Sequence, residues 1–153
     1  MAEDGRARHD DPTPPAEIPG EPHDSIARSL LEARLPELIA LYRFGSSVEG
    51  SLRPDSDLDY AVLARNRLDP VQRFEIQEDL AARLRRPVDL VDLRSASTVM
   101  RAQVISRGVA LVVRDPVAAE RFEVTVYASY ARLNEERREI LAQIGREGTV
   151  YGR

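Results

Sequence analysis

"RFGSSVEGSLRPDSDLDYAVLA", residues 43–64, sets Gly45-Ser46 ahead of Asp57-x-Asp59 with ten residues between them, and the apolar run from Leu58 reads as a strand. Side chains alternate along a strand, so Asp57 and Asp59 share a face with Cα atoms roughly 6–7 Å apart, while Leu58, Tyr60 and Val62 take the other face. Two carboxylates this close repel and raise one another's pKa unless a cation lies between them. Mg²⁺ suits the pair, because it takes oxygen ligands, uses one or two carboxylates, and completes its shell with water and substrate phosphates. The Gly-Ser pair then reads as the phosphate end. Gly45 lets the backbone turn and approach a ligand, and Ser46 opens a helical turn whose free N–H groups and hydroxyl can meet a phosphate. Gly50 keeps the loop open, and Arg53 is within reach of a phosphate. Taken singly, these residues read as turn formers, caps and strand-edge charges. Their joint spacing is what points to a metal-assisted phosphate site.

A third acid lies on the next strand. In "PVDLVDL" (87–93) Asp89 and Asp92 fall on opposite faces, so at most one joins the pair. Asp89 enters its strand at the depth of the Asp57-x-Asp59 pair, and Asp92 lies at the far end. Three carboxylates on adjacent strands form a ligand set for two Mg²⁺ ions, one activating an attacking hydroxyl and one holding a triphosphate and its leaving pyrophosphate.

Around this stretch the chain alternates helix and strand. Residues 1–23 are rich in Pro, Asp and Glu and read as a disordered tail. Asp24 is placed to cap a helix over "SIARSLLEARLPELIA", where Ile26, Leu30, Leu31, Leu35 and Leu38 recur at helical spacing and Pro36 bends or splits the run. "LYRFG" is a strand ending at Gly45, and "LDYAVLA" is a second strand. Asp69 and Pro70 start an amphipathic helix over "DPVQRFEIQEDLAARLRR". After the third strand, "SASTVMRAQVISRG" is a helix closed by Gly108, and "VALVVRD" a fourth strand. A long charged helix runs from Pro116 to about Gly145, with Phe122, Val126, Tyr130, Leu133, Ile140, Leu141 and Ile144 as its apolar positions. The expected fold is α/β (α+β): a small mixed sheet of about four strands with packed helices. Residues 24–115 form the main unit, and 116–153 add the C-terminal helix and a short tail to the same domain.

Composition narrows the chemistry. At 153 residues one domain is expected. There is no cysteine, which removes disulfides and thiolate catalysis and fits a reducing cytoplasm. The 22 basic residues are all arginine, so a Walker A loop, which requires lysine, is excluded. His9 and His23 both lie in the polar leader, which leaves no Ser-His-Asp triad and no HExxH site. No apolar run reaches membrane-span length. A net charge of −4 does not favour a nucleic-acid surface.

"FGSSVEGSLRPDSDLDYAVL" followed by "RRPVDLVDLRSAS" resembles the minimal nucleotidyltransferases (MNT) of the DNA polymerase β-like superfamily, whose hallmark is GSx10DxD with a third acid on a following strand. The resemblance covers roughly residues 24–113. It implies that Gly45 and Ser46 bind the triphosphate, that Asp57 and Asp59 ligate Mg²⁺, and that Asp89 is a third ligand or the general base. Family members of this length are often antitoxins paired with a HEPN-domain RNase toxin, and those understood transfer AMP from ATP to a toxin tyrosine. The resemblance therefore implies ATP as substrate, a hetero-oligomer with the toxin, and no direct contact with nucleic acid. The HEPN motif of Arg followed by His is missing, which makes this chain the antitoxin half, with its Arg/Glu-rich C-terminal helix as a docking element. Two alternatives stay open: an antitoxin that inhibits by complex formation alone, and a nucleotidyltransferase with a small-molecule acceptor.

Overall fold

A computed structural model gives the fold, and the residues it describes are 22–48 and 57–147. Helix α1 (Pro22–Arg34) leads into strand β1 (Leu38–Phe44), a single 3-10 turn (Gly45–Ser47) and strand β2 (Leu58–Ala64). Helix α2 (Pro70–Leu84), strand β3 (Val88–Asp92), helix α3 (Thr98–Arg107), strand β4 (Val109–Val113) and helix α4 (Pro116–Glu147) follow. The four strands form one mixed sheet in the order β3-β2-β1-β4. β1 is antiparallel to β2 and β4, and β2 is parallel to β3. This is the architecture expected from the helix–strand alternation.

Each face of the sheet carries a core. Leu41, Leu58, Tyr60 and Val62 pack with Leu31 of α1 and with Ile76 and Leu80 of α2. Ile39, Tyr42, Ala61 and Leu63 pack with Val104 of α3 and with Ala119 and Phe122 of α4. The alternation along β2 therefore delivers Tyr60 to one core and Asp59, Ala61 and Leu63 to the other side. β3 is an edge strand, and α2 occupies its free backbone: Gln77 Oε1 accepts from Leu90 N at 3.0 Å and Arg73 Nη1 donates to Leu90 O at 3.0 Å. Satisfying those edge groups removes a template for pairing with another chain.

Several features differ from the sequence expectation. The first helix ends at Arg34, and Leu38 begins β1 instead of continuing the helix. Pro36 disfavours helix at Leu35, and Leu38–Leu41 are buried on both faces of the central strand β1, which explains their continuous apolar run. Asp24 lies inside the first turn of α1, not before it, and is 3% exposed. Its carboxylate accepts from Arg43 Nη1 at 2.9 Å and from the Tyr60 hydroxyl at 3.1 Å, which ties α1 to β1 and β2. In α4 only Ala119 and Val126 are buried, and Ile140, Leu141 and Ile144 are exposed. A helix of 32 residues is about 48 Å long, and strands of five to seven residues cannot cover it. Of the expected tail at residues 1–23, Pro22 and His23 belong instead to the first turn of α1; residues 1–21, and the calls on Gly50 and Arg53, lie outside the described residues.

Candidate active site

The site forms where β1 ends and β2 begins. Gly45 follows Phe44, the register partner of Asp59. Its φ is +78°, in the left-handed region that favours glycine, and a Cβ built on it would collide with the Asp59 carboxylate. The chain thus needs glycine at this position twice over, for its conformation and for the close approach of Asp59. The helix expected to open at Ser46 is one 3-10 turn within the described residues, closed by Val48 N donating to Gly45 O at 3.1 Å.

Across the parallel pairing, Asp59 stands opposite Asp89. Partners in a parallel ladder share a face, so both carboxylates lie on the side of the sheet that α3 and α4 cover further along. Asp57 is exposed, Asp59 half-buried and Asp89 exposed. Burial, then the charge of Asp89, then that of Asp57 raise the Asp59 carboxyl to about 6. Among the described residues no group of three His, Cys, Asp or Glu side chains is arranged to share one metal ion. The two observations are compatible, because Coulombic coupling acts over a longer range than ligation. The donors are hard oxygens, and the mutual repulsion recorded in the Asp59 carboxyl is what a divalent cation relieves, so the residues fit Mg²⁺.

Asp92 takes no part. It is 4% exposed on the other face, where it accepts from Leu68 N at 2.9 Å, Arg94 N at 3.1 Å and Ser95 Oγ at 3.0 Å, and so fixes the loops after β2 and β3. Sequence reasoning missed the support beneath the site. Arg43 and Tyr60 are register partners one residue before Phe44 and one after Asp59, and Asp24 bonds to both. An arginine inside the apolar "LYRF" run was the signal, since a buried guanidinium requires a carboxylate.

The chain is similar to known nucleotidyltransferases. The family model "Polymerase beta, Nucleotidyltransferase" matches residues 28–117. The protein adenylyltransferase MntA of Shewanella oneidensis is 41% identical over 117 residues, which is 75% of this chain and 82% of the relative. An aminoglycoside (3'')(9) adenylyltransferase of Klebsiella pneumoniae is 29% identical over 115 residues, but that match covers 39% of the longer relative. Among solved structures, a toxin–antitoxin complex with AMP-PNP aligns with a TM-score of 0.72 at 39% identity, covering 79% of this chain and 97% of that one. A complex of tri-AMPylated Shewanella oneidensis HEPN toxin with MNT antitoxin aligns with a TM-score of 0.68 at 37% identity, covering 80% and 95%. A fold built around Gly45, Asp59 and Asp89, matched over more than half its length, places this chain in the polymerase β nucleotidyltransferase family.

Proposed function

We propose that the chain is an antitoxin adenylyltransferase, which transfers AMP from ATP to a tyrosine of a cognate HEPN-domain RNase toxin and so silences it. The observation that carries the reading is the opposition of Asp59 and Asp89 beside the left-handed Gly45, in a chain 41% identical to a protein adenylyltransferase. The toxin is the partner because the AMPylated protein in the related complex is a HEPN toxin. A reducing cytoplasm is the compartment we assign, in keeping with a chain that lacks cysteine. No helix among the described residues is long and apolar enough to cross a membrane.

Each residue has a role in this reaction. Gly45 brings the backbone close to the triphosphate, with Ser46 beside it as a hydroxyl donor. Asp57 and Asp59 would hold Mg²⁺, and Asp89 would complete the acidic set as a further ligand or as the base that takes the tyrosine proton. Bound Mg²⁺ supplies charge stabilisation to the transferring phosphoryl group and to the leaving pyrophosphate. The tyrosine oxygen attacks the α-phosphorus, the bond from that phosphorus to the pyrophosphate oxygen breaks, and AMP remains on the tyrosine. Positioning and charge do most of the catalytic work in such a transfer.

The test combines the chain, α-labelled ATP, Mg²⁺ and its cognate HEPN-domain toxin. Label on a toxin tyrosine that disappears with Asp57→Ala plus Asp59→Ala supports the reading. An unlabelled toxin that is still silenced in a tight complex replaces it with inhibition by binding.

A further inference from the structure

Arginines gather at the end of β2 away from the aspartates. Arg65 and Arg67 follow β2, Arg94 follows β3, Arg101 stands on α3 and Arg121 on α4, and together they line a cavity of about 670 Å³. Among the described residues Asp115 is the single carboxylate lining it. That local excess of positive charge stands in a chain whose net charge is −4.

Two of the arginines are held in place. Arg94 Nε donates to Ala64 O at 2.5 Å, and Arg101 donates from Nε to Leu93 O at 2.6 Å and from Nη2 to Arg94 O at 2.7 Å. Their guanidinium carbons lie 5.8 and 5.7 Å from the centre of the Phe122 ring. Groups ordered before binding do not lose that freedom when a ligand arrives. Arg65 has only a long, exposed contact with Asp115 at 3.8 Å, an arrangement that contributes little. The guanidiniums of Arg67 and Arg121 have no ion pair or hydrogen bond among the described residues. The N-terminus of α4 borders the same cavity at Val117 and Ala118, where Asp115 Oδ1 already accepts from Ala118 N at 3.1 Å and caps the helix.

Five guanidiniums facing one carboxylate repel one another until an anion of several charges enters. The planar fork of arginine matches phosphate oxygens two at a time, and the volume is that of a small-molecule site. Ala64, whose carbonyl anchors Arg94, is five residues along β2 from Asp59, or about 17 Å.

We propose that this cavity is a second anion site, separate from Asp57, Asp59 and Asp89, which takes a small ligand bearing a polyphosphate. The proposal goes beyond the adenylyl-transfer reading and does not rest on it. Inorganic tripolyphosphate is titrated into the full chain by calorimetry at low salt with EDTA present, which removes metal-dependent binding at the aspartates. We expect one site, unchanged by Asp57→Asn plus Asp59→Asn, and weakened tenfold or more by Arg67→Glu plus Arg121→Glu. The milder pair Arg67→Gln and Arg121→Gln, checked for an unchanged melting temperature, should weaken it by a smaller factor. Equal affinity for ATP in EDTA assigns recognition to the phosphates, and tighter binding of ATP adds the nucleoside; both support the site. No binding, binding lost with the aspartates and kept without the arginines, or a short single-stranded RNA that binds these arginines while tripolyphosphate does not, overturns the proposal.

Discussion

Asp59 and Asp89 face each other across the parallel pairing of β2 and β3, and the carboxyl of Asp59 is pushed up to about 6 by its burial and by the charges of Asp89 and Asp57. The protein therefore holds repelling charge at its site in the absence of a cation. That arrangement costs folding stability, and on the proposed reading a divalent ion would offset the repulsion.

Asp59→Asn should abolish AMP transfer, by a factor of 10³ or more, and yet stabilise the metal-free chain at pH 7.5. A carboxyl whose folded pKa is about 6, against 3.8 when unfolded, favours folding below pH 4, and that contribution is lost as pH rises through 6. The substitution should thus raise stability by about 1–2 kcal/mol at pH 7.5, after discounting for solvent screening, and add nothing at pH 4. Thermal melts at both pH values in EDTA check this. An equal or lower melting temperature for the variant at pH 7.5 would refute the stored repulsion.

Gly45→Ala should remove activity at least a hundredfold, because the added methyl collides with the Asp59 carboxylate. Left-handed backbone at alanine costs about 1–2 kcal/mol more, so a modest fall in melting temperature should accompany the loss. Transfer at the wild-type rate would show that Asp59 does not need its observed position.

Breaking the buried Asp24–Arg43 pair should be costly. The side chains are 5% and 7% exposed and 2.9 Å apart. Arg43→Met leaves the Asp24 carboxylate buried without its cation and should cost about 3–5 kcal/mol. Replacing both, as Asp24→Leu with Arg43→Met, should recover most of that loss. Denaturant melts of Asp24→Leu, Arg43→Met and the double variant measure the coupling, and additive effects would mean that the pair does not act as a unit.

Removing residues 135–147 should leave the fold intact, since all are exposed and the buried positions of α4 end at Val126. The helix starts beside Arg65, where Asp115 lies, and has reached Tyr42 by Glu123, with the Tyr42 hydroxyl donating to Glu123 Oε1 at 3.3 Å. Tyr42 pairs with Ala61, two residues from Asp59, so the free half of α4 leads toward the aspartate end. The truncated chain should melt within a few degrees of the full one and bind the toxin at least tenfold more weakly in a titration. Unchanged toxin affinity would remove α4 as the docking element.

Much of this protein was legible in its sequence because the signals were local. Pro70 after Asp69 and the alternation of Leu58, Tyr60 and Val62 depend on neighbours a few residues away. Strand regularity also brought Asp89 to the depth of Asp59 once β2 and β3 paired as neighbours, while Asp57 lies just before β2. Tertiary structure decided what depends on distant partners. Leu38 became strand because β1 lies between β2 and β4 and is buried on both faces. Asp24 became the carboxylate for a buried arginine nineteen residues away, instead of a helix cap. The arginines after β2 and β3 and on α3 and α4 carry no common motif. They meet only because parallel β2 and β3 end on the same side of the sheet, where α4 begins.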